Sequence, residues 1–220
     1  MLLERAGEVG RRPQGRWAGE EKFAPVAASA SGLSRRLTLY EADEEILMPA
    51  AGSNRLFQVA CGVVRICTVL NDGRRTISAF HFPGEVFGFE PGGHRAFRAE
   101  AVDSVGIRPF ALPEGDLRGG EFLRIALARL AETQEHLLVV GRQTASERIA
   151  AFLLDVSRRQ HEPEIVDLPM PRTDIADYLG LTPETVCRVF KHLRDGGLID
   201  FTASRRVTIK SSNALGRLIA

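Results

Sequence analysis

Between residues 37 and 112 the apolar positions come in short runs interrupted by turn residues, with Gly52, Gly62, Gly84 and the pair Gly92-Gly93 as the breaks. Short β-rich runs of this kind are what an antiparallel sandwich or barrel requires. Segments 63–70 and 75–82 flank Asn71-Asp72-Gly73, which predicts a hairpin. Phe57, Val59, Val64, Ile66, Ile77, Phe80 and Phe82 are the expected core of a jelly-roll-like module. From 117 to 141 the pattern turns helical, and Phe122, Leu123, Ile125, Ala126, Leu127, Leu130, Leu137, Leu138 and Val140 cover more than one face. So wide a stripe implies two partners, the β-module on one side and the same helix of a second subunit on the other. A monomer that buries the helix with its own domains is the alternative. A second helix, 144–160, turns Ile149, Ala150, Phe152, Leu153 and Val156 inward and ends at His161-Glu162-Pro163. Segment 165–169 reads as an edge strand, because Pro169 cannot donate to a ladder.

The pattern over 173–198 predicts two short helices and a tight turn. The first runs 173–179, with Thr173 as N-cap and Gly180 as the residue that closes it. The second opens with Thr182 as N-cap and Pro183 at the first helical position. Together they form a helix-turn-helix. Val186, Val189, Phe190 and Leu193 make one apolar stripe on the second helix, which puts Glu184, Cys187, Arg188 and Lys191 on the opposite face. In this motif the N-terminal end of the second helix enters the major groove. Arg188 can donate twice to guanine O6 and N7, and Glu184 can accept from cytosine N4. Glu184, Arg188 and the neighbouring Pro183 are therefore the candidate base-reading residues. The plainer alternative is a surface ion pair between Glu184 and Arg188, four residues apart and worth a few tenths of a kcal/mol. Strands at 198–202 and 206–209 follow, with Arg205 and Arg206 at the tip between them, which makes the unit a winged helix-turn-helix.

The composition permits this reading without demanding it. In 220 residues, 44% hydrophobic and 26% charged, there is room for two modest domains, and a net charge of +1 means any nucleic-acid contact must come from a local patch. Cys61, Cys67 and Cys187 match neither a zinc site nor a disulfide framework, which points to a reducing, cytoplasmic setting. No apolar run reaches the roughly 20 residues of a membrane helix, so no membrane association is expected. Residues 1–33 lack periodicity and read as a flexible arm. His81 and His94 are isolated, no His-x-His occurs to support a cupin-like metalloenzyme, and neither Gly-x-Ser-x-Gly nor a Gly-rich phosphate loop is present. No metal site and no enzymatic activity are expected.

The runs NDGRRTISAFHFPGEVFGFE (71–90), ERIAAFLL (147–154) and DIADYLGLTPETVCRVFKHLRDGGLI (174–199) resemble regulators of the cyclic-AMP receptor and fumarate–nitrate-reduction (CRP/FNR) family. The resemblance spans about 37–219 and is strongest to the FixK-type branch. It implies an α+β protein with four parts: the arm, an N-terminal double-stranded β-helix of cyclic-nucleotide-binding type (34–116), a dimerisation helix (117–141) and a winged helix-turn-helix (142–220). The family's Glu-x-x-Ser-Arg motif falls on Glu184, Cys187 and Arg188. It implies a homodimer that binds a palindrome of the TTGAT-N4-ATCAA kind and, as an activator, meets RNA polymerase. Phosphate contacts are expected from Arg172, Thr173, Thr182, Thr185, Lys191, Arg205 and Arg206.

Cys187 stands where the family has Ser, near the positive end of a short helix and beside Arg188 and Lys191, surroundings in which thiols react. It is the candidate redox-sensitive residue, the alternative being an inert thiol of suitable size. No cofactor is expected. Residues 1–60 contain no cysteine to hold the family's iron–sulfur cluster, and EVFGFEPGGHRAFRAEA (85–101) lacks the Arg-Ser pair of its cyclic-nucleotide sites. A cyclic-nucleotide-dependent regulator remains the alternative.

Overall fold

The computed structural model describes residues 36–46, 55–88, 97–111, 120–142, 144–162 and 164–219. The expected arm, and the segment holding His94, lie outside these.

Eight short strands are described in the first half: β1 (Thr38–Tyr40), β2 (Glu45–Ile46), β3 (Arg55–Cys61), β4 (Val64–Val69), β5 (Arg75–His81), β6 (Val86–Phe87), β7 (Arg98–Ala101) and β8 (Val105–Ala111). They form two antiparallel sheets, ordered β1-β8-β3-β6 and β2-β7-β4-β5. The expected hairpin joins β4 to β5, with Leu70 and Arg74 closing the turn and Arg74 N–H donating to Asp72. Gly62 turns β3 into β4 at φ +77°, and a Cβ there would meet the Ser104 carbonyl at 2.4 Å, so only glycine fits. Ile46, Val59, Val64, Ile66, Phe87 and Ile107 fill the space between the sheets.

The expected core divides in two. Val59, Val64 and Ile66 lie inside the roll, whereas Ile77, Phe80 and Phe82 belong to a second cluster shared with the C-terminal helices. The C-terminal half covers one face of the β4–β5 region, so residues on that face are buried by another part of the chain.

Helix α1 (Gly120–Val140) buries Ile125, while Leu123, Leu127, Leu130, Leu137 and Leu138 are each more than half exposed. Helix α2 (Ala145–Gln160) starts at Thr144, whose hydroxyl accepts from Glu147 N–H, and stops at His161, which takes a left-handed conformation. Its inward face is Ile149, Ala150, Phe152, Leu153 and Val156, as the pattern predicts. Strand β9 (Ile165–Asp167) is an edge of a three-stranded sheet with β10 (Ile199–Ala203) and β11 (Arg206–Ile209). A final helix, α5 (Ser212–Leu218), was not expected from the pattern. It is too short to show a period, though Ser211 caps it by accepting from Ala214 N–H.

A buried ionic knot joins α2 to the roll. Arg159 donates to both oxygens of Glu85, at 2.9 and 2.6 Å, and Arg129 of α1 donates to His81 Nδ1 at 2.9 Å. Burial pushes the pKa of His81 from 6.5 down to about 4, opposed by Glu85 and assisted by Arg129. The Glu85 carboxyl is held well below its ordinary range: burial acts to raise it, but Arg159 and its neighbours overcome that. The unfolded chain therefore takes up a proton at residue 81 below pH 6.5 that the folded chain takes up only near 4. Stability is full above 6.5 and falls as pH drops through that window, by roughly 1.4 kcal/mol per pH unit at most from this one group. Thermal melts should show a falling midpoint there, flattened in His81→Gln. A flat wild-type profile would contradict the burial of a neutral ring.

Candidate nucleic-acid interface

Helix α3 (Arg172–Leu179) and helix α4 (Pro183–Asp195) form the helix-turn-helix. Gly180 closes α3 at φ +63°, a left-handed conformation that side-chain-bearing residues rarely adopt. Thr182 caps α4, its hydroxyl accepting from Thr185 N–H at 3.3 Å, and Pro183 follows at the first turn as expected. The N-cap of α3 lies two residues earlier than expected. Pro171, not Thr173, holds the N-cap position, without a side-chain cap bond, and Thr173 is already inside the first turn and exposed. The fixed φ of proline suits the boundary, and its carbonyl accepts from Asp174 N–H.

The two faces of α4 separate cleanly. Val186, Val189, Phe190 and Leu193 are buried in the cluster that contains Ile175, Ala176 and Leu179 of α3. Glu184, Cys187, Arg188 and Lys191 are exposed. Among the described residues Glu184 and Arg188 form no ion pair with each other: the Arg188 guanidinium reaches Thr185 Oγ1 at 3.4 Å. The Glu184 carboxyl is held below its ordinary range by hydrogen bonds from its own backbone N–H and from Thr182. It is therefore an ionised acceptor on an open helix face.

The expected phosphate-binding residues fall into different settings. Lys191 and Arg205 are exposed and make no ion pair among the described residues, and Thr173 and Thr182 are also exposed. Thr185 is half-buried. Arg206 is tied to Asp167 of β9 at 2.6 and 3.1 Å, so it offers DNA only what that pairing leaves free. The Arg172 guanidinium lies over the Phe190 ring at 3.9 Å and 5.6 Å from that of Phe201. Burial lowers its pKa, and Cys187 is close enough to oppose that electrostatically. Arg172 is thus a half-buried cation stacked on Phe190 of α4, with no ion pair to an acid among the described residues.

Sequence reasoning missed the residues that seat this unit on the roll. Asp174 of α3, with 1% of its surface exposed, accepts from Arg65 at 2.8 Å and from Arg75, and Asp177 accepts from Arg75 at 2.9 Å. A signal was present, since Arg65 interrupts the apolar run Val63-Val64-Arg65-Ile66-Cys67. A charge inside a buried strand needs a buried partner. Nothing in the local pattern tells which acid supplies it. No group of three or more His, Cys, Asp or Glu among the described residues could hold a metal ion, and no described helix is long and apolar enough to cross a membrane.

A family model described as a Crp-like helix-turn-helix domain matches residues 147–218. The chain is 44% identical over 184 residues to the nitrogen fixation regulation protein FixK of Rhizobium meliloti, covering 84% of this chain and 87% of that protein. It is 38% identical over 226 residues to FixK of Azorhizobium caulinodans, covering 94% and 90%. Among solved structures, FixK2 from Bradyrhizobium japonicum superposes with a TM-score of 0.75 at 36% identity, over 84% of this chain and 97% of that one.

Proposed function

The chain belongs to the FixK-type branch of the CRP/FNR family of DNA-binding transcription regulators, and on that premise we propose that it is a cytoplasmic activator that binds a TTGAT-N4-ATCAA-like palindrome as a homodimer. The observation that carries this reading is the exposed placement of Glu184 and Arg188, not ion-paired with each other, on the first two turns of α4. An acceptor and a forked donor so placed match the edges of cytosine and guanine in the major groove. The exposed leucine stripe of α1 supports a second copy as the pairing partner. Activation would require a contact with RNA polymerase elsewhere on the surface.

Binding needs no cyclic nucleotide and no iron–sulfur cluster on this reading, because the sequence lacks the Arg-Ser pair and the N-terminal cysteines those effectors use. Cys187, exposed on the α4 face, makes binding redox-sensitive: peroxide would convert its thiol to a sulfinate and set negative charge against the phosphates.

Fluorescence anisotropy with palindromic and scrambled duplexes tests these statements together. The reduced protein should prefer the palindrome with or without added cyclic AMP, and affinity should fall steeply with salt. Lys191→Ala should weaken both duplexes alike and reduce the salt slope by roughly 1 per half-site. Peroxide should abolish binding by the wild type and leave Cys187→Ser unaffected. Equal affinity for both duplexes would refute operator recognition, and full affinity with Cys187 oxidised would refute the redox role.

A further inference from the structure

The helix-turn-helix is fastened to the β-roll by two kinds of contact. The first is apolar: Tyr178 of α3 lies 5.1 Å from the Phe80 ring of β5, within a ring cluster completed by Phe152 of α2 at 5.8 Å and His136 of α1 at 4.0 Å. Such contacts supply buried area, but rings slide on one another at little cost, so they set no angle.

The second kind is directional. Both carboxylate oxygens of Asp174 are taken, Oδ2 by Arg65 Nη1 at 2.8 Å and Oδ1 by Arg75 Nη2. Arg75 uses its Nε on Asp177, one turn further along α3, at 2.9 Å. Arg65 is in turn fixed by Glu100 through Nε and by Asp43 through Nη2, both at 2.8 Å. Each arginine is thus forked across two or three carboxylates, and Arg65 and Asp174 are almost fully buried. Sliding α3 along β5 would strand a buried guanidinium without its counter-charge, which is costly, so the roll and the helix-turn-helix have one well-defined register. Because α4 shares its core with α3, that register carries over to the recognition helix.

We propose that Asp174, held by Arg65 and Arg75, is a positioning residue that sets the angle at which each subunit presents α4, and so fixes the spacing between half-sites that the dimer accepts. This inference rests on the dimeric, operator-binding reading above. Adding one base pair between half-sites moves them about 3.4 Å apart and rotates one about 35° around the duplex. Only a rigid junction penalises so small a change. A loose one would follow it.

The test compares affinities for the palindrome and for duplexes whose spacer is one base pair longer or shorter. The wild type should prefer its own spacing by roughly tenfold or more. Arg75→Ala, at the partly exposed end of the network, should reduce that ratio to about threefold or less. It should leave the loss caused by changing a guanine within a half-site as large as before. Arg75→Lys, which can hold one carboxylate but not two, should fall between. Asp174→Asn should match Arg75→Ala if it folds, and Arg75→Ala decides the matter if it does not. If Arg75→Ala weakens every duplex equally and keeps the spacing preference, the network is merely structural and the proposal is wrong. If the wild type itself shows no preference between palindrome and scrambled DNA, the operator reading beneath it has failed instead.

Discussion

Leu130→Glu should convert the protein to monomers and lower its affinity for the palindrome by roughly 100-fold or more, the gain that linking two modest binding events provides. Leu123, Leu127, Leu130 and Leu137 of α1 are exposed in the single chain and are spaced by four, three and seven residues. On the proposed homodimer that spacing fits the seam of a two-stranded coiled coil, with Leu123, Leu130 and Leu137 at d, Leu127 at a, and Gln134 as the polar a position that would hold register. Burying a leucine fully is worth about 1.5–3 kcal/mol. Two subunits that each bury four of them can overcome the cost of association. A glutamate at 130 removes that gain at the centre of the seam and sets two like charges against each other across the twofold axis. Because Leu130 is 53% exposed in the single chain, the substitution should leave the fold of each subunit intact and lower the melting temperature only by what pairing contributes. Sedimentation velocity reads the first outcome and anisotropy the second. A variant that still sediments as a dimer would show that α1 is not the pairing surface.

Arg188→Ala should cost about 1–3 kcal/mol per half-site on the palindrome and relax selectivity at one base pair of each half, with little change on random DNA. The contrast with Lys191 is the informative part. Both are exposed cations on α4, so a purely electrostatic role predicts the same uniform loss for each. Direct base readout predicts a loss confined to the operator for Arg188 and a loss on every sequence for Lys191. Selection from a randomised duplex pool measures both. Equal losses on operator and random DNA for Arg188→Ala would assign it to the backbone.

Much of this was legible in the amino-acid pattern because the informative features are local. The period of α4, its Thr182 cap and the Asn71-Asp72-Gly73 hairpin are all set by residues within a turn or two of each other. Resemblance then supplied what periodicity cannot, namely the family to which such a chain belongs. The pattern failed where distant segments meet. It grouped Phe80 and Phe82 with the roll interior, although they are buried under α2 and α3, because an apolar strand residue does not reveal which neighbour covers it. It gave no sign that Arg172 and Arg206, both expected at phosphates, would also stack on Phe190 and pair with Asp167 respectively. It did not bring Asp174 to Arg65, 109 residues away. Electrostatic partners at that separation are set by the docking of two modules, which no local window contains.

A crystal structure of the dimer on its palindromic duplex would test base reading by α4 most directly. It should show the N-terminal turns of α4 inside the major groove in each half-site. Arg188 should lie within hydrogen-bond distance of guanine O6 and N7, and Glu184 of a cytosine amino group. A complex in which α4 lies outside the groove and neither side chain approaches a base would contradict it.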